Sequence, residues 1–220
     1  MTPAARWAAL GARLGARHWA PFGDLEDRYA EPIRAYHTLT HVEECLRAYD
    51  GSGVYDPWLE LALWLHDVIY DPRAYDNEAG SAALARRWIL TADLAPQVAD
   101  AVATAILATE HRSVPTDGRE ALIQDIDLAI FAASRAQLFE YERQIRHEYS
   151  WVPADQYATG RRAVLSGFLA RPQLYWTARY RQGLERIARS NLTALIAAVA
   201  GPPTSGYIGT HPVSPDVDGA

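Results

Sequence analysis

Apolar residues recur at three- and four-residue steps along nearly the whole of this 220-residue chain, and strand-like alternation is almost absent. That period builds amphipathic helices, so the chain reads as all-α. It predicts helices near residues 3–19, 24–31, 38–50, 57–70, 76–91, 95–110, 119–132, 135–149, 154–170 and 178–199. Several of these limits have a chemical cause. Asp56 precedes Pro57 as an N-cap precedes a proline at the first helical position, where the missing N–H costs nothing. Ser134 and Gln137 have the spacing of a capping box. Gly51-Ser52-Gly53 closes the third helix with glycine able to take a left-handed backbone. Residues 1–200 are expected to form a single domain, and the Gly- and Pro-rich stretch 201–220 a flexible tail.

Composition removes several classes of function. The 21 basic residues against 27 acidic ones give a net charge of −6, which argues against nucleic-acid polymers and anionic membrane surfaces, since both need a basic face. A lone cysteine, Cys45, excludes an internal disulfide and a Cys-rich zinc site and suits a reducing compartment. No run of about 18 uncharged apolar residues is present to span a membrane. The first fifteen residues read as an amphipathic helix and not as a secretory signal. A cytoplasmic protein is the expectation, and exposed helical aromatics leave room for a homodimer.

Within this pattern, polar groups interrupt a helix where Leu or Val belongs. Leu63-Trp64-Leu65-His66-Asp67-Val68-Ile69 carries a His–Asp pair in an apolar run. An unpartnered imidazole and carboxylate buried together cost on the order of several kcal/mol, and a shared divalent ion satisfies both. Upstream, His37 and His41 are four residues apart, on one face if both are helical, so that one can bind the ion while the other points into the same cleft. Downstream, Asp125-Ile126-Asp127 brings a carboxylate from a later helix. His41, His66, Asp67 and Asp127 then make a set of two nitrogens and two oxygens suited to Mn, Fe, Co, Ni or Zn. Arg34, Arg73, Arg112 and Arg161 lie near these motifs and are the candidates for phosphate oxygens.

Tyr36-His37-x-x-x-His41-Val42, Leu65-His66-Asp67-x-x-Tyr70-Asp71, Ala108-Thr109-Glu110-His111 and Asp125-x-Asp127-Leu128-Ala129 occur in this order over residues 30–135. The series resembles the HD superfamily of metal-dependent phosphohydrolases, and within it a group of short bacterial predicted HD phosphohydrolases. The later segments Gln144–Tyr149, Gly160-Arg161 and Ala188–Leu192 echo the same group. The resemblance implies an HD-domain-like bundle of about eight to ten helices. Its first motif also looks like that of cyclic-nucleotide phosphodiesterases, which implies His41 as a metal ligand and His37 as general acid. The alignment favours Asp127 as the ligand over Asp125, which would orient a neighbouring histidine.

The same resemblance implies a supporting role for His111, from a region where two-metal members draw an extra ligand. Those members take another near residue 80, where this chain has Asp76, Glu78 and Ser81 but no histidine. One tightly held ion is therefore expected, with Asp71 and Glu78 placed to orient water or a weaker Mg2+. The expected activity is hydrolysis of a phosphate ester or anhydride of a small molecule, foremost a nucleotide. Two other outcomes remain compatible with the residues: an HD-type di-iron oxygenase, and a non-catalytic nucleotide sensor or scaffold built on the same cleft.

Overall fold

A computed structural model describes residues 1–199; the stretch expected to be a flexible tail lies outside the described residues. Among them the chain is helical throughout, with no strand. The order is α1 Pro3–Leu14, α2 Phe22–Tyr29, α3 Leu39–Ser52, α4 Pro57–Leu65, α5 Asn77–Thr91, α6 Pro96–Ala108, α7 Gly118–Asp127, a 3-10 turn Leu128–Ala132, α8 Arg135–Glu148, α9 Ala154–Leu169 and α10 Ala178–Val199. The all-α expectation holds, and no helix is long and apolar enough to cross a membrane.

The caps read from sequence are present. Asp56 accepts hydrogen bonds from the Trp58 and Leu59 amides ahead of α4. Ser134 and Gln137 form their capping box ahead of α8. Gly53 ends α3 at φ 74°. Two helices stop earlier than their periodicity suggests. In α1 the left-handed Gly15, at φ 73°, turns the chain. In α4 the apolar run continues, but the helix ends at Leu65.

Helix α4 is the axis of the molecule. Every residue from Leu59 to Leu65 is buried, as expected of a helix surrounded on all sides, and α1, α3, α5, α6 and α7 pack around it. Even Glu60 is inside, held by Arg6 at 2.8 Å and by Arg13. Helices α5 and α6 form the closest pair. On the other side, α8 and α10 pack on the 3-10 turn that continues α7, and α9 packs on α10. One apolar cluster runs from Trp7 to Leu195 through both groups. The C-terminal end of α4 therefore opens between α3, α7 and the α8–α10 layer, where the polar residues converge.

Candidate metal centre

The turn after α4 is shaped by groups that take up main-chain carbonyls left free around the helix end. Arg34 donates to the Asp67 carbonyl at 2.7 Å, the Val68 carbonyl at 3.3 Å and the His37 carbonyl at 2.9 Å. Its guanidinium lies between the Tyr29 and Tyr70 rings. From the other side, Ser81 of α5 pairs with both the N–H and the carbonyl of Ile69. Next to it, Gly80 leaves room for Ile69, whose Cγ2 would lie 3.1 Å from an added Cβ. His66 and Asp67 thus stand in the turn after α4, not inside the predicted helix. His66 itself keeps helical dihedrals, φ −63° and ψ −36°, and the Asp67 carboxylate reaches back to 3.0 Å from its Nε2.

His37 likewise precedes its helix. Helix α3 begins at Leu39 with an extended Thr38 that makes no side-chain cap, and its ring lies 6.1 Å from that of His41. The loop is held by Glu148, the last residue of α8. One carboxylate oxygen accepts the amides of Ala35, Tyr36 and His37 at 2.8, 2.8 and 3.0 Å. The other accepts His37 Nδ1 at 2.8 Å and the Tyr70 hydroxyl at 2.6 Å.

These two devices bring donors from three elements to one point. His66 Nδ1–H donates to the Leu63 carbonyl at 3.0 Å, which leaves the Nε2 lone pair facing inward. His66 Nε2 is 3.1 Å from His41 Nε2 and 3.0 Å from Asp67 Oδ2. His41 Nε2 is 3.2 Å from Asp127 Oδ1 and 3.5 Å from Asp67 Oδ2. Asp127 Oδ1 and His66 Nε2 are 3.7 Å apart. An ion with bonds of ~2.1 Å sets its ligands ~3.0 Å apart at right angles and ~3.4 Å apart at tetrahedral angles. The separations fit donors aimed at one ion. His41, Cys45, His66 and Asp127 form a mutual group whose ligand atoms all lie within 4.8 Å of one another. This buried His–Cys–His–Asp cluster is able to hold a metal ion.

The sequence matches no family model, and no curated protein or solved structure shows significant similarity to it. The site has to be understood from its own residues.

His111 braces the cluster from outside. It follows α6 in the left-handed region at φ 54°, a conformation that histidine takes more readily than most residues, and Arg171 donates to its carbonyl. The imidazole is delivered to Asp127, with Nε2 2.8 Å from Oδ2. Asp127 then keeps Oδ1 for His41 and His66. Burial alone would raise the Asp127 pKa, but His111, His41 and His66 more than reverse it and hold the carboxyl well below its ordinary value. Asp67 is held down in the same way, by His66 first. Burial disfavours the charged form of His66, yet Asp67 and Asp127 raise its pKa well above the usual value.

Asp125, the rival of Asp127, points elsewhere. It accepts from the Trp176 amide at 2.7 Å, the Thr177 amide at 2.8 Å and the Thr177 hydroxyl at 2.6 Å, just ahead of α10. Burial nonetheless pushes its pKa up.

Beside the donors lies a cleft of about 280 Å3 lined by His37, Tyr70, Glu78, Tyr141, Tyr149, Arg112 and Arg161 among others. A second cavity, of about 410 Å3, reaches His41, Cys45 and Asp127 past Tyr36 and Tyr141. His37 stacks on Tyr70 with ring centres 4.2 Å apart. Burial opposes its protonation, but Glu148 and then Asp67 raise its pKa above 6.5. Glu148 itself is pushed up by burial and pulled down further by His37, Tyr70 and the Ala35 amide, to about 2. Burial raises the pKa of Glu78. Arg161 is fixed by Glu142 at 2.9 Å and by the Tyr141 hydroxyl at 2.8 Å, whereas Arg112 is exposed, 3.5 Å from Glu110.

Three residues expected near the chemistry are not brought to it. Arg34 is buried, its guanidinium occupied by main-chain carbonyls and Glu31. Asp71 is exposed, its side chain accepting from the Arg73 amide in a turn tied to Asn77. Arg73 is exposed over the Trp151 ring. Two residues were missed from sequence. Cys45 was within reach, since it follows His41 by one helical turn on α3. Glu148 lies in the Gln144–Tyr149 segment, but nothing local singles it out, because its partners lie 78 to 113 residues away.

Proposed function

We propose that this protein is a metal-dependent phosphohydrolase of the HD type, acting on a small phosphorylated molecule such as a nucleotide. The observation that carries the reading is the juxtaposition of the His41, His66, Asp67 and Asp127 donors with the His37–Glu148 pair in an adjoining cleft that also holds Arg112 and Arg161. His41, His66, Asp67 and Asp127 would hold the ion. A divalent ion supplies Lewis acidity there, polarising a phosphoryl oxygen and acidifying water.

The protein's own groups account for the rest. Glu148 fixes Nδ1 of His37, so the proton available to the cleft is the one on Nε2. With its pKa raised, His37 holds that proton to higher pH than a free imidazole does and can give it to the leaving oxygen as the phosphorus–oxygen bond breaks. Arg161, already oriented by Glu142 and Tyr141, and the freer Arg112 offer charge-assisted hydrogen bonds to phosphate oxygens. The Tyr70, Tyr141 and Tyr149 side chains give the same cleft flat apolar faces.

The test joins metal content to turnover. Protein purified without chelators is assayed by elemental analysis and against a panel of nucleotides and phosphate esters, beside His66→Ala and His37→Ala. About one transition metal per chain, lost with activity in His66→Ala, is the expected result. His37→Ala should keep the metal and lose about 10²–10⁴ in kcat. Two irons per chain with O2 consumption would replace this reading with the oxygenase. Nucleotide binding without turnover under any metal would replace it with the sensor.

A further inference from the structure

One donor of the cluster has no part in the phosphohydrolase reading. Cys45 stands one turn after His41 on α3, so both side chains leave the same face of the helix. It is 2% exposed. Its Sγ is 3.6 Å from His41 Nε2 and 3.9 Å from His41 Nδ1, its hydrogen-bonding neighbours among the described residues. It also belongs to the group of four whose ligand atoms lie within 4.8 Å of one another. Sulfur at ~2.3 Å and nitrogen at ~2.1 Å from one ion are ~3.1 Å apart at a right angle and ~3.6 Å apart at a tetrahedral one. With nearly equal distances to the two ring nitrogens the thiol rests against the His41 ring, a side-chain turn away from a ligand position, on the side of the cluster that opens to the larger cavity with His41 and Asp127.

We propose that Cys45 binds the metal as a thiolate alongside His41, His66 and Asp127, with Asp67 as the remaining donor. The inference rests on the metal-centre reading above and deepens it by naming the kind of ion. On binding, the S–H bond gives way to a sulfur–metal bond and the proton leaves to solvent. A set of two nitrogens, two oxygens and one sulfur favours Zn(II), Co(II) or Fe(II). Mg(II) and Mn(II), which suit oxygen donors, are disfavoured. An all-oxygen-and-nitrogen centre built from the same four His and Asp residues would lack that bias.

Cobalt makes the bond visible. The full chain is loaded with Co(II) and its absorption recorded, then compared with Cys45→Ser, Cys45→Ala and His66→Ala, with folding checked by circular dichroism. The expected result is an intense near-ultraviolet sulfur-to-cobalt charge-transfer band that is lost in both Cys45 variants. Zn(II) affinity, read by chelator competition, should fall in those variants by more than the ~10–100-fold that outer-shell changes cost, with a much smaller change for Mn(II). Stoichiometric cobalt showing only weak visible bands, with unchanged Zn(II) affinity in Cys45→Ser, would overturn the thiolate and leave the metal centre standing. Because that spectrum is read on the unaltered chain, the answer does not depend on a variant folding. Failure of the unaltered chain to take up cobalt or zinc would overturn this inference together with the metal centre.

Discussion

Glu148 connects five hydrogen-bond donors with two oxygens, and its charge raises the pKa of His37. Replacing it with Gln keeps the shape and removes the charge. The expected outcome is a His37 pKa, followed by NMR of the ring protons, that falls below its raised value, with kcat reduced and metal content unchanged. The Glu148 contribution to stability is complete above its unfolded pKa of 4.5 and is lost as pH falls through about 2. It amounts to on the order of 3 kcal/mol. The His37 contribution is complete below 6.5 and is lost as pH rises through its higher folded value. Urea titrations of the parent and Glu148→Gln should therefore differ most between about pH 4.5 and 6.5. A difference that did not vary with pH would mean the carboxylate only ties down the 35–37 loop. At this scale the sequence offered only residues whose partners are close in the chain or whose type announces a ligand. Asp67 and Asp127 belong to the second kind. Arg34 looks like a phosphate ligand because its type and position suit one, but local spacing does not reveal the two carbonyls waiting after α4 and the third ahead of α3.

Helices were the most legible level, because the apolar period that marks each of them is the physical cause of its burial. Ends were legible where a side chain makes the cap, as at Asp56 and Ser134. They were not legible where a distant group does so, and both errors that matter for the site are of this kind. Helix α4 was read through to residue 70 because its apolar run continues, yet Arg34 and Ser81 draw the chain out of the helix after Leu65. Helix α3 was read as starting at residue 38, which put His37 nearly in register with His41, but Glu148 holds the loop before it. Asp125 shows the same logic between helices, since from α7 it serves the start of α10, where negative charge is favoured by the helix dipole. Asp125→Ala is expected to cost about 2–4 kcal/mol in urea unfolding and to keep its metal, whereas Asp127→Ala loses the metal. Metal loss in Asp125→Ala at temperatures where it remains folded would return Asp125 to the ligand set.

Over the whole molecule the site is a meeting point of distant segments. His41 and His66 are 25 residues apart, Asp127 comes from beyond α6, and the His37–Glu148 contact spans 111 residues. An ion bound by such a set stabilises the finished fold, by about 4 kcal/mol when it is present at a thousandfold excess over its Kd. Removing it with chelator is expected to lower Tm by roughly 8–16 °C for a domain of this size, an effect that His66→Ala should abolish. The donors come together only once α3, α4 and α7 have docked, so the ion has nothing to grip while the chain is still collapsing. Stopped-flow refolding should run at the same rate with and without metal, while unfolding slows by on the order of 10³ at that excess. A metal-starved chain would then reach its native shape as quickly as a replete one and differ only in how long it stays there.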